Sequence, residues 1–210
     1  GDRITYEHLE KLSFLQAKES SAVFSARNSF LIFLILFLSI TLIYEYADRN
    51  IKKFTLREKD LNFAATFTVF IVLIVKAATL IFEHFAPNYA SHLTYIVPIF
   101  CFGIIMRIVL FSEAAIMFSI ILSVVMGLMF ENSLPVFLYT LLGNILASYL
   151  SGKCENRNTI LKAGVYTAST MALFVILFDI LLGNSLSLAP AKVAFIIFNG
   201  VGSSFMALGL

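Results

Sequence analysis

Four polar side chains stand inside long apolar runs of this sequence: Lys76, Asn144, Asp179 and Asn199. Lys76 falls about eight residues, or about 12 Å, below the outer end of its run. An ionisable group at that depth in a bilayer is costly and marks a paired or functional site. Asp179 sits about one turn below the outer end of a later run, and a lysine stem is long enough to bridge the difference in depth. The simpler reading is that Lys76 snorkels outward and Asp179 meets water. The alternative is that the two pair or line a polar cavity. Asn144 and Asn199 carry amides that bond between membrane helices, so both are expected as interhelical ties. These four are the candidate coupling residues.

Catalytic chemistry is not legible. His8, His84 and His92 are scattered, with no His–Asp pair and no metal-ligand spacing. His84 and His92 flank the loop around Pro87, but only Glu83 is near them, so polar helix-end chemistry is the simpler reading. No Walker loop, dinucleotide-binding glycine fingerprint or serine elbow appears. Neither catalytic, cofactor-binding nor metal residues are expected in this segment, and no nucleic-acid partner. Cys101 falls mid-run and Cys154 in a basic loop, so they do not pair.

The elements that carry these residues are seven apolar runs, at about 29–46, 62–84, 93–110, 113–130, 135–150, 163–182 and 192–210. A membrane helix needs roughly 20 mostly apolar residues. The stretch from Leu93 to Phe130 is too long for one crossing, so a tight hairpin is expected at Ser112–Glu113. There Ser112 would cap the next helix and Glu113 would suit its N-terminal dipole. A mean hydropathy of +0.91 with 13% charged residues excludes an ordinary soluble domain. The fold class is all-α: a polytopic membrane helix bundle of about seven transmembrane helices.

Local signals refine this outline. Pro135 and Pro190 stand near helix starts, where a missing N–H costs least. Pro98 lies inside the third span and is expected to kink it. The sequence has no Trp, so an interfacial belt relies on Tyr44, Tyr46, Tyr89, Tyr95 and Tyr149 near span ends. Gly200, Gly202, Ser203, Ser204, Ala207 and Gly209 make the last span fit for close helix contact.

Charge gives the orientation. The loop 48–60 carries Arg49, Lys52, Lys53, Arg57 and Lys59, and the loop 151–162 carries Lys153, Arg157 and Lys162. Arg107 stands beside the hairpin between the third and fourth spans, expected to snorkel inward and to meet Glu113. The alternate loops 85–92, 131–134 and 183–191 hold no Lys or Arg; Lys192 is the nearest exception. The positive-inside rule then places the N-terminus outside and the C-terminus inside. Residues 1–27 are mixed in charge, with Leu9, Leu12 and Leu15 at helical spacing after Thr5. They are expected to form the end of an extracellular domain and a juxtamembrane linker, with the membrane domain over 28–210. The sequence begins without Met and stops within an apolar run, so a segment of a longer protein is expected.

Val97–Glu131 (VPIFCFGIIMRIVLFSEAAIMFSIILSVVMGLMFE), Gly143–Gly164 (GNILASYLSGKCENRNTILKAG) and Gly1–Leu15 (GDRITYEHLEKLSFL) together carry a family likeness. The early proline, the hairpin before a small-residue helix, and Arg157 with Ala163–Gly164 after the fifth span stand where that family has them. The chain resembles the bacterial seven-transmembrane receptors with an intracellular HD phosphohydrolase domain, the PgpH type of cyclic-di-AMP phosphodiesterase. The resemblance implies an extracellular sensory domain before Gly1 and a cytoplasmic HD domain after Leu210. The family's metal-binding residues belong to the HD domain, so a divalent metal is expected there and none in this segment. The implied role is a sensory, relaying and anchoring module in the bacterial inner membrane, in a parent that is a metal-dependent cyclic-dinucleotide phosphodiesterase. Its expected partners are the lipid bilayer and its own extracellular and HD domains, with room for an unidentified small-molecule ligand and for a homo-oligomer. The competing readings are a small-molecule transporter or substrate-capture subunit, with Lys76, Asn144 and Asp179 lining its cavity, and a passive anchor.

Overall fold

A computed structural model of the chain describes residues 57–85, 95–130, 133–153, 157–183 and 189–209, together with Leu34, Phe37, Leu38, Thr41, Leu42, Tyr44 and Glu45. The chain divides into two units, Gly1–Glu45 and Tyr46–Leu210. In the first unit the described residues are helical, and Thr41 Oγ1 donates to the Phe37 carbonyl at 2.8 Å. The juxtamembrane segment 1–27, His8, His92, Lys52, Lys53 and Cys154 lie outside the described residues.

The second unit is built from six described helices: α1 Glu58–Phe85, α2 Cys101–Val109, α3 Ser112–Met129, α4 Leu134–Leu150, α5 Arg157–Leu181 and α6 Ala189–Leu208. They correspond in order to the second through seventh predicted spans. Four of them are long and apolar enough to cross a membrane, and α4 is a shorter apolar helix. The chain is a multi-pass membrane domain.

Helix starts follow local chemistry. Asp60 Oδ2 accepts the Arg57 backbone N–H at 3.1 Å, and the acidic first turn of α1 suits its dipole. Ser133 caps α4 by accepting the Val136 N–H at 3.5 Å, with Pro135 in the first turn. The hairpin between α2 and α3 forms where expected, but Ser112 is not its cap. Phe111 occupies the cap position, and the Ser112 hydroxyl donates to Glu113 Oε2 at 2.7 Å instead.

The third predicted span departs most from expectation. Regular helix covers only Cys101–Val109, about 14 Å of rise against a hydrocarbon core of about 30 Å. Tyr95–Phe100 form irregular turns around Pro98 rather than a kinked helix. Tyr95, Val97, Ile99 and Phe100 in this stretch are all buried. Non-helical backbone at membrane depth is tolerated only where protein encloses it. Here the enclosure comes from α1, α3, α4 and α6, all of which pack on α2.

α1 lies against this core by a narrow stripe, Ala64, Ile71 and Val75, while Val69, Phe70, Leu73 and Leu80 are exposed. In a bilayer such apolar side chains face lipid tails. Phe67 of α1 stacks on Phe102 of α2, with ring centroids 5.4 Å apart and planes at 7°. α5 and α6 approach one another closely. A Cβ at Gly164 would collide with the Gly200 carbonyl and Ser204, and one at Gly200 with the Gly164 carbonyl and Ala168. The small-residue composition of the last span is thus used as expected.

Candidate functional site: a buried ion pair and a polar column

Asp179 near the end of α5 and Lys192 near the start of α6 meet across the short link between these antiparallel helices. Lys192 Nζ lies 2.8 Å from Asp179 Oδ1 and 2.6 Å from Oδ2. Both side chains are about nine-tenths buried. A charge pair so enclosed, in protein and lipid, persists only with good geometry, and the two-oxygen contact provides it. The alternative that paired Asp179 with Lys76 is thereby corrected. The lysine that reaches it is Lys192, whereas Lys76 occupies the exposed side of α1. The physical reason is proximity: Asp179 and Lys192 are 13 residues apart in sequence, at facing ends of consecutive helices.

The pair borders a cavity of about 250 Å³ lined also by Tyr95, Ser133, Val136 and Phe178. Tyr95 is buried rather than interfacial; its ring meets Tyr139 edge-on, with centroids 5.0 Å apart and planes at 88°. The Tyr139 hydroxyl accepts Asn199 Nδ2–H at 3.0 Å, and Ser203 Oγ donates to Asn199 Oδ1 at 3.1 Å. Further along α6, Ser204 Oγ lies 3.1 Å from the Ile160 carbonyl of α5. Polar groups thus recur along α6 from Lys192 to Ser203, over about 16 Å of the helix axis.

Asn144 forms a second tie. Its Oδ1 accepts the Gly103 backbone N–H at 2.8 Å, and its Nδ2 donates to the Thr140 carbonyl at 2.9 Å. The first amides of any helix need partners from outside it; at the buried start of α2 the Phe102 N–H finds the Ile99 carbonyl and the Gly103 N–H finds Asn144. Gly103 is required there, since a Cβ would overlap the Asn144 backbone. Both asparagines are fully buried and act as the interhelical ties expected of them. Sequence reasoning gave Tyr95 an interfacial role, Ser203 only a small-residue role and Tyr139 none. Lys192 left a signal, standing alone beside an otherwise uncharged link.

The basic residues behave differently. Arg57 and Arg157 are exposed at the starts of α1 and α5. Arg107 is half-buried in the last turn of α2, and its guanidinium lies over Gly152 rather than on Glu113. Among the described residues no three His, Cys, Asp or Glu side chains gather into a metal-binding set.

Residues 28–210 match the family described as 7TM receptor with intracellular HD hydrolase. The chain belongs to that family. It is also similar to the cyclic-di-AMP phosphodiesterase PgpH of Bacillus subtilis (strain 168), at 24% identity over 97% of this chain and 28% of that protein. The chain thus spans little more than a quarter of its relative's length. No solved structure matches it.

Proposed function

We propose that this chain is the transmembrane relay of a membrane-bound cyclic-di-AMP phosphodiesterase, with residues 1–27 closing an extracellular domain and an HD hydrolase domain following residue 210. The N-terminus is outside and the C-terminus inside, in the bacterial inner membrane. The observation that carries the relay reading is the buried Asp179–Lys192 pair at the outer end of α5 and α6. A second polar cluster, Tyr139, Asn199 and Ser203, lies further along α6 toward the C-terminus, after which the hydrolase domain is proposed. A relay needs an element with two arrangements of similar energy. Buried polar groups supply that, because exchanging hydrogen-bond partners costs less than losing them. The Thr140 and Thr167 hydroxyls, buried on α4 and α5 with no partner among the described residues, would gain one in such a repacking. The hydrolase chemistry and its divalent metal belong to the HD domain of the parent.

Exchange of the membrane domain tests this. Full-length protein in lipid nanodiscs with Mn²⁺ hydrolyses cyclic-di-AMP at a rate that depends on the extracellular domain. When residues 28–210 are replaced by a single unrelated transmembrane helix, hydrolysis persists and that dependence is lost. If the dependence survives the exchange, the domain is a passive anchor.

A further inference from the structure

A second concavity lies at the opposite end of the bundle from the ion pair. It is a groove of about 900 Å³ bounded by Ile116 of α3, Leu142, Ile145 and Leu146 of α4, and Met171 and Phe174 of α5. That volume lies within the range of ordinary ligand sites, roughly 300–1,000 Å³. Its walls are apolar, and it follows α4 from Leu142 to Tyr149, about 10 Å along the helix axis. Polar groups gather at one end, apart from Thr170 of α5, whose hydroxyl is turned to the Tyr166 carbonyl. At that end the guanidinium of Arg107 and the start of α3 at Ser112 face the groove, beside the exposed Tyr149. Among the described residues Arg107 has neither a hydrogen bond nor an ion pair, although it is only half exposed. Glu113, which might have neutralised it, has its Oε2 turned to the Ser112 hydroxyl.

We propose that this groove holds one anionic phospholipid, its acyl chain along α4 and its headgroup phosphate on Arg107. Charge complementarity selects the occupant. A half-buried guanidinium without a carboxylate, next to the positive end of an 18-residue helix, is matched by a phosphodiester. The apolar walls that continue from it match a hydrocarbon chain and would be poorly covered by water. The bilayer is the one source of a molecule with both parts. Under the proposed topology the lipid comes from the inner leaflet, where the basic loops lie. Phe174 lines both this groove and the cavity at the ion pair, so the occupant touches the helix that carries Asp179.

The test is lipid retention by the purified chain, read by native mass spectrometry after graded detergent washing. The probes are dioleoyl phosphatidylglycerol and dioleoyl phosphatidylcholine, which share acyl chains and differ in charge. The expected result is one tightly retained phosphatidylglycerol, favoured about fivefold over phosphatidylcholine, which is what one basic residue contributes toward an anionic lipid. Arg107→Gln removes the preference, Arg107→Lys keeps most of it, and Leu142→Trp, which fills the groove, lowers retention of both lipids. Excess inorganic phosphate leaves the lipid bound. Equal retention of the two lipids by the unaltered chain overturns the proposal, as does an undiminished preference in folded Arg107→Gln or complete displacement by phosphate. Because the measurement involves neither orientation nor hydrolysis, its failure would leave the relay reading standing.

Discussion

Lys192 Nζ contacts both carboxylate oxygens of Asp179 from the neighbouring helix, at 2.8 and 2.6 Å, with both side chains almost wholly enclosed. The pair ties the end of α5 to the start of α6, while Gly164 and Gly200 set the approach of the two helices at their other ends. One contact is electrostatic and releasable; the other is steric and permanent.

The pair should show as a coupling in stability. Asp179→Asn or Lys192→Met alone leaves the other partner buried and unmatched, at a cost of about 0.5–2 kcal/mol for polar contacts within membranes. The double substitution should recover part of that loss, and Lys76→Met should change stability little. Thermal unfolding in detergent provides the cycle. Additive losses would mean that the contact is not energetically real.

The glycines make a sharper steric prediction. Gly164→Ala and Gly200→Ala push a methyl into opposing backbone and should destabilise by about 1–3 kcal/mol. Gly202→Ala meets only Pro98 Cβ at 3.6 Å, ordinary contact, and should be neutral or slightly stabilising because alanine favours helix. Equal melting temperatures for all three would remove the close α5–α6 contact from the account.

Much of this architecture was legible in the sequence, because span length and hydropathy are properties of contiguous residues. The boundaries of α3, α4 and α6 lie close to the predicted runs, α5 begins about two turns earlier than its run, and Pro135 announced the start of α4. Asp179 was legible as a buried charge. Lys192 was read as an exception at a loop edge, although two adjacent antiparallel helices must bring their facing ends together. The break before α2 was not legible. Pro98 signals a disruption, but its depth depends on Asn144, 41 residues away from the Gly103 amide it accepts. Tyr95 likewise looked interfacial because its ring partner, Tyr139, belongs to another helix.

That long-range tie gives a third prediction. Asn144→Leu strands the Gly103 N–H in an apolar interior and should cost about 1–3 kcal/mol. Hydrogen exchange should report the loss first at the start of α2, since α2 begins there without other caps. Unchanged protection at Gly103 would show that another acceptor serves that amide.

Orientation is open to a chemical test. Cys101 is buried within α2 and should stay silent to thiol reagents in the folded protein, which leaves Cys154 as the reporter. In intact cells Cys154 should resist a membrane-impermeant maleimide and react after permeabilisation. Labelling from outside would invert the topology and remove the hydrolase from the cytoplasm.

The relay itself is tested most directly by cyclic-di-AMP turnover of the full-length protein in nanodiscs, compared among the unaltered chain, Asp179→Asn, Lys192→Met and the double variant. If the ion pair biases two arrangements of the bundle, losing about 1 kcal/mol of that bias shifts turnover about fivefold. The account predicts such a shift in each single variant and a partial return in the double one. Identical turnover in all four proteins, with each correctly folded and inserted, would contradict it.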